Sequence, residues 1–334
     1  MSLKLPAIPI IDIRDGGPLD HARQHAVQAR ALRDACLAFF PAVAKPLVPA
    51  LDWASRRWLG RSRSPYVDEI ARIAAELNFS GIWLLNASYQ WGCTARAVEQ
   101  DGAPWLMRTL DWPFKGLGRH TAVARMRGTG GDFFSVTWPG YVGALTAMAP
   151  GRFAASINQA PMWRRMRHRW LRPYDFVVNV LKIWQRTDLM PPDQLLRQTF
   201  ETCEDYSAAR HMLETTPVAR PVIFTLIGCG GNERCVIERT ETGFVLRPMQ
   251  GARVCAANHF VGREQGWRAR PIDSAGRLAC AVGLGGAQED FSWFTPPIAN
   301  VNSRLAMNAC AANGALSVIG TGGVAPATEI FRFG

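Results

Sequence analysis

The feature that most constrains this chain is a change of texture at Cys93. Before it, apolar residues recur at helical spacing. Residues 20–39 carry Ala and Leu on one face with Pro41 to end the run, and 67–77 repeats apolar residues at 70, 73, 74 and 77 behind a cap at Asp68. A Pro- and Trp-bearing connection through Pro46, Trp53 and Trp58 lies between them, and a short apolar run, 82–85, leads from Asn86 into Gly92-Cys93. Beyond Cys93 short strands dominate. Residues 92–112 read as two strands around Asp101-Gly102, a hairpin dipeptide. Further strands are predicted over 133–138, 153–158, 222–228, 235–239, 244–248, 253–258, 304–309 and 316–320, and helices over 174–185, 192–201 and 208–214. Many short strands around a helical block predict a layered α/β or α+β sandwich.

Composition sets the outer limits. Of 334 residues 48% are hydrophobic and 19% charged, with mean hydropathy −0.04, which excludes a disordered or collagen-like chain. No apolar run approaches the roughly 18 residues of a spanning helix. Residues 1–13 show no secretory signal pattern, so the cytoplasm is the expected address. The net charge is +11, from 38 basic and 27 acidic residues. A positive surface attracts nucleic acid, acidic lipid or anionic substrates alike. The eight cysteines, at 36, 93, 203, 229, 235, 255, 280 and 310, form no CxxC pair, and the six His residues are scattered. Reduced thiols, no metal and no cofactor are expected. Gly228-Cys229-Gly230-Gly231 fits neither a P-loop nor a dinucleotide fingerprint and reads as a turn.

Chemistry gathers on the hairpin. With Asp101 and Gly102 at the centre of the turn, paired positions sum to about 203, so Cys93 faces Leu110. Arg108 and Asp111 then lie within a residue or two of the thiol. Being three apart, they point to opposite faces of a flat strand, and a bulge or strand end near Thr109 is needed to bring both to the Cys. A free thiol has a pKa near 8.5, and an adjacent guanidinium and base raise its thiolate fraction. No His lies nearby in sequence. Cleavage after Gly92 would supply another base, the α-amino group of Cys93. On the residues alone, a buried inert Cys beside an ordinary Arg108–Asp111 ion pair is the commoner account.

Gly92-Cys93-Thr94 followed by Arg108-Thr109-Leu110-Asp111-Trp112-Pro113-Phe114 resembles the nucleophile hairpin of the N-terminal-nucleophile (Ntn) hydrolases. The resemblance is to the acid ceramidase, N-acylethanolamine acid amidase and choloylglycine hydrolase group, with features of the penicillin acyl-CoA acyltransferase branch. Offsets of fifteen and eighteen from the Cys stand where the family has about sixteen and nineteen, as in a hairpin one residue shorter. The Asn86-to-Gly92 stretch is similar to the family's pre-nucleophile segment. Asn158 resembles an Asn that lines the site, Asn258-His259-Phe260 an Asn-His-Phe segment, and Asp273-Ser274 with Arg277 an Asp-Ser-x-x-Arg motif. The segment from Asn302 through Ser303-Arg304 to Gly320 resembles the closing hairpin. The ceramidase-like enzymes carry Asn-Tyr-Asp-His where this chain has Asn258-His259-Phe260, which leaves the substrate open.

The resemblance implies a four-layer αββα sandwich made as a precursor, with residues 1–92 a helical α subunit and 93–334 the catalytic β subunit of a heterodimer. It implies self-cleavage between Gly92 and Cys93, then hydrolysis of a linear N-acyl amide through a Cys93 thioester. Asp111 would orient the α-amine, Arg108 would position it or bind the substrate carbonyl, Asn258 would donate to the oxyanion, and Asn158 and Arg277 would line the site. Acyl transfer to an amine, and a non-catalytic lipid- or anion-binding protein, are the alternatives. Residues 163–172 hold five Arg. As a helix they would place Arg165, Arg169 and Arg172 on one face and Trp163, Met166 and Trp170 on another, suited to a peripheral membrane or substrate-entry contact. No nucleic-acid module accompanies them.

Overall fold

The computed structural model describes residues 4–88, 92–166, 168, 171–185, 188–249, 251–263, 265–270, 272–287 and 289–334. The chain opens with strand β1 (Ile10–Asp12) and helices α1 (Gly17–Gln24), α2 (Ala26–Leu37), α3 (Val48–Leu59), α4 (Val67–Leu77) and α5 (Ile82–Ala87). Strands β2 (Gly92–Gln100), β3 (Ala103–Asp111), β4 (Ala122–Gly128), β5 (Gly131–Thr137), β6 (Thr146–Ala149), β7 (Phe153–Gln159) and β8 (Met162–Trp163) follow. Next come α6 (Arg172–Gln185), α7 (Pro192–Thr202), α8 (Tyr206–Thr215), β9 (Val222–Ile227), β10 (Arg234–Arg239), β11 (Phe244–Pro248), β12 (Arg253–Ala256), β13 (Trp267–Arg268) and α9 (Ser274–Gly283). The chain closes with β14 (Ser303–Cys310), β15 (Ala315–Gly322), β16 (Ala325–Pro326) and β17 (Phe331–Phe333).

The strands form two large sheets. One runs β1-β4-β5-β6-β7-β9-β10-β11; the other runs β12-β2-β3-β14-β15, with β16 and β17 paired to β15. They pack face to face through β2 and β3 against β7 and β9. Helices α7 and α8 lie against the first sheet and α9 against the second, giving the αββα order. Alternation along β3 shows why it folds this way. Leu106 and Leu110 enter the main core with Cys93, Phe134, Ile157 and Phe224. Trp105 and Met107 enter a separate cluster with Ala281 of α9 and Trp293.

The β2–β3 register is the one the turn dictates. Asp101 and Gly102 both have positive φ (54° and 79°), the type I′ geometry that matches strand twist. Pairing runs unbroken from Gln100↔Ala103 to Cys93↔Leu110 and Gly92↔Asp111.

Several expectations need correction. Residues 20–39 break at His25 into α1 and α2. The Pro- and Trp-bearing connection is largely helix α3, because Pro49 sits in its first turn, where no backbone donor is needed. Tyr66 holds the N-cap position of α4, and Asp68 lies inside the first turn, where its charge suits the helix dipole. The N-terminal segment is not wholly helical, since β1 pairs in parallel with β4. Its helices otherwise share a core of their own, including Leu59, Ile70, Ile73 and Trp83, closed by Val142 and Ala219. The basic segment does not begin as a helix: Met162 and Trp163 pair with Arg268 and Trp267, and helix starts only at Arg172. Arg169 and Trp170 lie outside the described residues. No described helix is long and apolar enough to cross a membrane.

Candidate active site

Cys93 stands one residue into β2, fully buried, with its side chain on the inner face beside Leu110. Alternation puts Arg108, two residues from Leu110, on that same face. Its Nη2 donates to the Cys93 Sγ at 3.0 Å and to the Ile157 carbonyl at 3.0 Å. Its Nη1 donates to the Leu145 carbonyl at 3.2 Å and bonds the Thr146 hydroxyl. Carbonyls from β7 and from the entry to β6 thus fix the guanidinium against the sulfur. Burial pushes the Cys93 thiol up, the Arg108 charge pulls it back, and the Asp111 carboxylate adds to the rise.

Asp111 approaches from the other side. It pairs with Gly92 at the end of β3, on the outer face. No bulge in the β2–β3 ladder was needed: Arg108 meets the sulfur, and Asp111 meets the backbone. A Cβ added to Gly92 would lie 3.3 Å from the Asp111 Cβ and 3.5 Å from its Oδ2. The irregularity that does occur is in β14, between Ser303 and Leu305, opposite this end of β3. It turns Ser303 onto the carboxylate, and the Ser303 hydroxyl donates to Asp111 Oδ1 at 2.7 Å. Asp111 Oδ2 is buried and receives no hydrogen bond among the described residues, with Arg277 Nη1 3.6 Å away.

Both asparagines and Arg277 converge on the Cys93 backbone. The Cys93 N–H donates to Asn258 Oδ1 at 2.9 Å, and Arg277 Nη2 donates to the same oxygen at 2.8 Å. Arg277 Nη1 donates to the Cys93 carbonyl at 2.6 Å and the Thr94 hydroxyl at 2.9 Å. Asn158 Nδ2 reaches the Cys93 carbonyl at 3.4 Å and the carbonyls of Ala256 and Ala257 at 3.2 and 3.1 Å. Asn258 Nδ2 donates to the Gln159 carbonyl at 2.8 Å, so Asn258 acts at the Cys93 nitrogen as an acceptor. Cys93, Arg108, Asp111, Asn158, Asn258 and Arg277 are thus one buried constellation around the Gly92–Cys93 bond.

Sequence reasoning missed Thr146 and gave no role to Ser303 and Ser274. The Ser274 hydroxyl takes the Asn258 N–H at 2.7 Å and lies 2.7 Å from His259 Nδ1. Ser274 and Ser303 each lie inside a motif already singled out, which was the available signal. Among the described residues no cluster of His, Cys, Asp and Glu could hold a metal.

Two packed sheets with helices outside them are the αββα fold of the N-terminal-nucleophile hydrolases, and this chain has that fold. Over part of its length it is homologous to N-acylethanolamine acid amidases and acid ceramidases. It is 30% identical over 200 residues to the N-acylethanolamine-hydrolyzing acid amidase of Rattus norvegicus, covering 56% of this chain and 52% of that protein. It is 27% identical over 201 residues to the acid ceramidase of Bos taurus, covering 54% and 49%. The chain therefore spans about half the length of these relatives. The solved Caenorhabditis elegans N-acylethanolamine-hydrolyzing acid amidase ortholog shares the fold, with TM-score 0.52 and 19% identity over 66% of this chain and 93% of that one. No family model matches.

Proposed function

We propose that this chain is a precursor that cuts itself at Gly92–Cys93 and then hydrolyses a linear N-acyl amide with Cys93 as nucleophile. The observation that carries the reading is Arg108 on the sulfur together with the buried Asp111 carboxylate beside Gly92, whose Oδ2 accepts no hydrogen bond among the described residues. A buried carboxylate oxygen with an ion-pair partner but no hydrogen bond gains from a further donor, and an α-ammonium group created at Cys93 is such a donor.

In the first stage the Cys93 thiol adds to the Gly92 carbonyl, the peptide nitrogen leaves as the new α-amine, and water hydrolyses the Gly92 thioester. In the second stage the α-amine takes the thiol proton and the thiolate attacks the substrate amide. The departing amine takes that proton, and water clears the acyl group from sulfur. Asp111 orients the α-amine while Ser303 fixes the carboxylate. Asn258, once its amide nitrogen leaves the Gln159 carbonyl, stabilises the oxyanion, a role worth on the order of 10²–10³ in rate. Arg277 and Asn158 hold the Cys93 backbone still.

Residues 1–92 and 93–334 become the two subunits and stay together, since β1 and the contacts of Val142 and Ala219 join them. The relatives named for acid amidase and ceramidase activity favour a lipid-like acyl group. Lipid contact then belongs to α6, whose Tyr174, Val177, Leu181 and Trp184 are exposed at helical spacing. Intact-mass analysis and hydrolysis of an N-acylethanolamide series test the reading together. A chain that stays whole and inert sinks it in favour of a binding protein.

A further inference from the structure

Two residues beyond Asn158, the structure opens a cavity of about 210 Å³ between the β8 segment, α6 and the Arg220 turn. Its wall is continuous with the site. The Ala160 carbonyl accepts from Arg270 Nε at 3.1 Å, and the Arg270 N–H donates to the Asn258 carbonyl at 3.1 Å. Trp163 and Trp267, edge to face at 5.0 Å, form its apolar side. Among the described residues four cations line it, Arg165, Lys182, Arg220 and Arg270, against one carboxylate, Glu241. Whatever ion pairs form among them, the lining carries an excess of three positive charges.

Two magnitudes select the occupant. The volume lies below the roughly 300–1,000 Å³ of sites for drug-sized ligands, which suits a small group rather than a long acyl chain. Sealing an alkyl chain against these cations would strip their water without return, whereas an anion replaces it with charge-assisted hydrogen bonds. Guanidinium groups match a carboxylate in shape as well as charge. The geometry points to a subsite for the amine half of the substrate, in which that amine carries a carboxylate: the substrate class is the N-acyl amino acid. This rests on the amide hydrolase reading above.

The test compares N-lauroylglycine with its methyl ester, matched in chain and amide and differing in the charge. With the processed protein, kcat/KM should favour the free acid by tenfold or more. That ratio should fall about tenfold in Lys182→Gln, at an exposed side chain, and in Arg165→Gln, and it should shrink as salt rises. A wild-type ratio near one, or a ratio indifferent to both substitutions, overturns the subsite. If neither compound is hydrolysed, the hydrolase reading fails, and calorimetry with Cys93→Ala decides the subsite separately. Preferential binding of the free acid, lost in Lys182→Gln, keeps it; equal binding or none removes it.

Discussion

Cys93 and Cys235 occupy closely similar settings and differ in chemistry. Each lies in an antiparallel hairpin, β2–β3 or β9–β10, on one of the two facing sheets, and each is buried (0% and 2% exposed). Burial pushes the Cys235 thiol up to about 11, and the Tyr206 hydroxyl is its main polar neighbour. Cys93 meets the same penalty, but a guanidinium touches its sulfur and three side chains grip its backbone. Burial alone makes a cysteine inert. What separates the two is a set of buried polar groups whose hydrogen bonds end on one residue.

The largest expected difference is total. Cys93→Ala should stay one chain and lose all turnover, whereas Cys235→Ala should mature and turn over normally, as read by intact mass and an N-acylethanolamide assay. Efficient cutting at Gly92 in purified Cys93→Ala would assign the cut to another protease.

Asp111→Asn comes next. It should lower kcat by about 10²–10⁴-fold with KM changed far less, because it misplaces the base rather than the substrate. Equal losses in both parameters would move Asp111 from the chemistry to substrate binding.

Arg108→Gln should lower kcat/KM on the order of 10²-fold and shift the alkylation profile of the Cys93 thiol to higher pH, since the positive charge that lowers it is gone. An unshifted profile would make Arg108 a packing residue.

The smallest effect concerns Cys235 and stability. Its folded pKa, about 11, lies above the ordinary 9.0, so its contribution is whole below pH 9 and is lost as pH rises towards 11. Denaturant unfolding should show about 2–3 kcal/mol of alkaline loss that Cys235→Val removes. Identical curves would place the alkaline loss elsewhere.

The hairpin was the most legible part of the fold because its information is local: two residues able to adopt positive φ set the whole ladder. Arg108 could be placed near the thiol from that register. Its choice over an inert ion pair came from the motif, because nothing local shows that the Ile157 and Leu145 carbonyls will meet it. Asn158, Asn258 and Arg277 come from three distant elements and have no pattern of their own; only resemblance reached them. β6 went unread because a wholly buried strand loses the alternation that marks a half-exposed one, whereas β4 keeps that alternation across Arg125, Met126 and Arg127 and was simply missed. The stretch after Asn158 misled for a related reason. The Arg and Trp spacing fits a helix, but Trp163 takes its partner from Trp267, more than a hundred residues away.

The parallel pairing of β1 with β4 bears on how the protein could be handled. A polypeptide beginning at Cys93 would leave β4 as an outer strand with a bare row of amides and carbonyls, an invitation for strands of other molecules to add on. Supplying residues 1–92 as a separate piece should then keep it dispersed. The leading segment is a selvedge to the sheet, and a cut at Gly92 would not by itself unpick it.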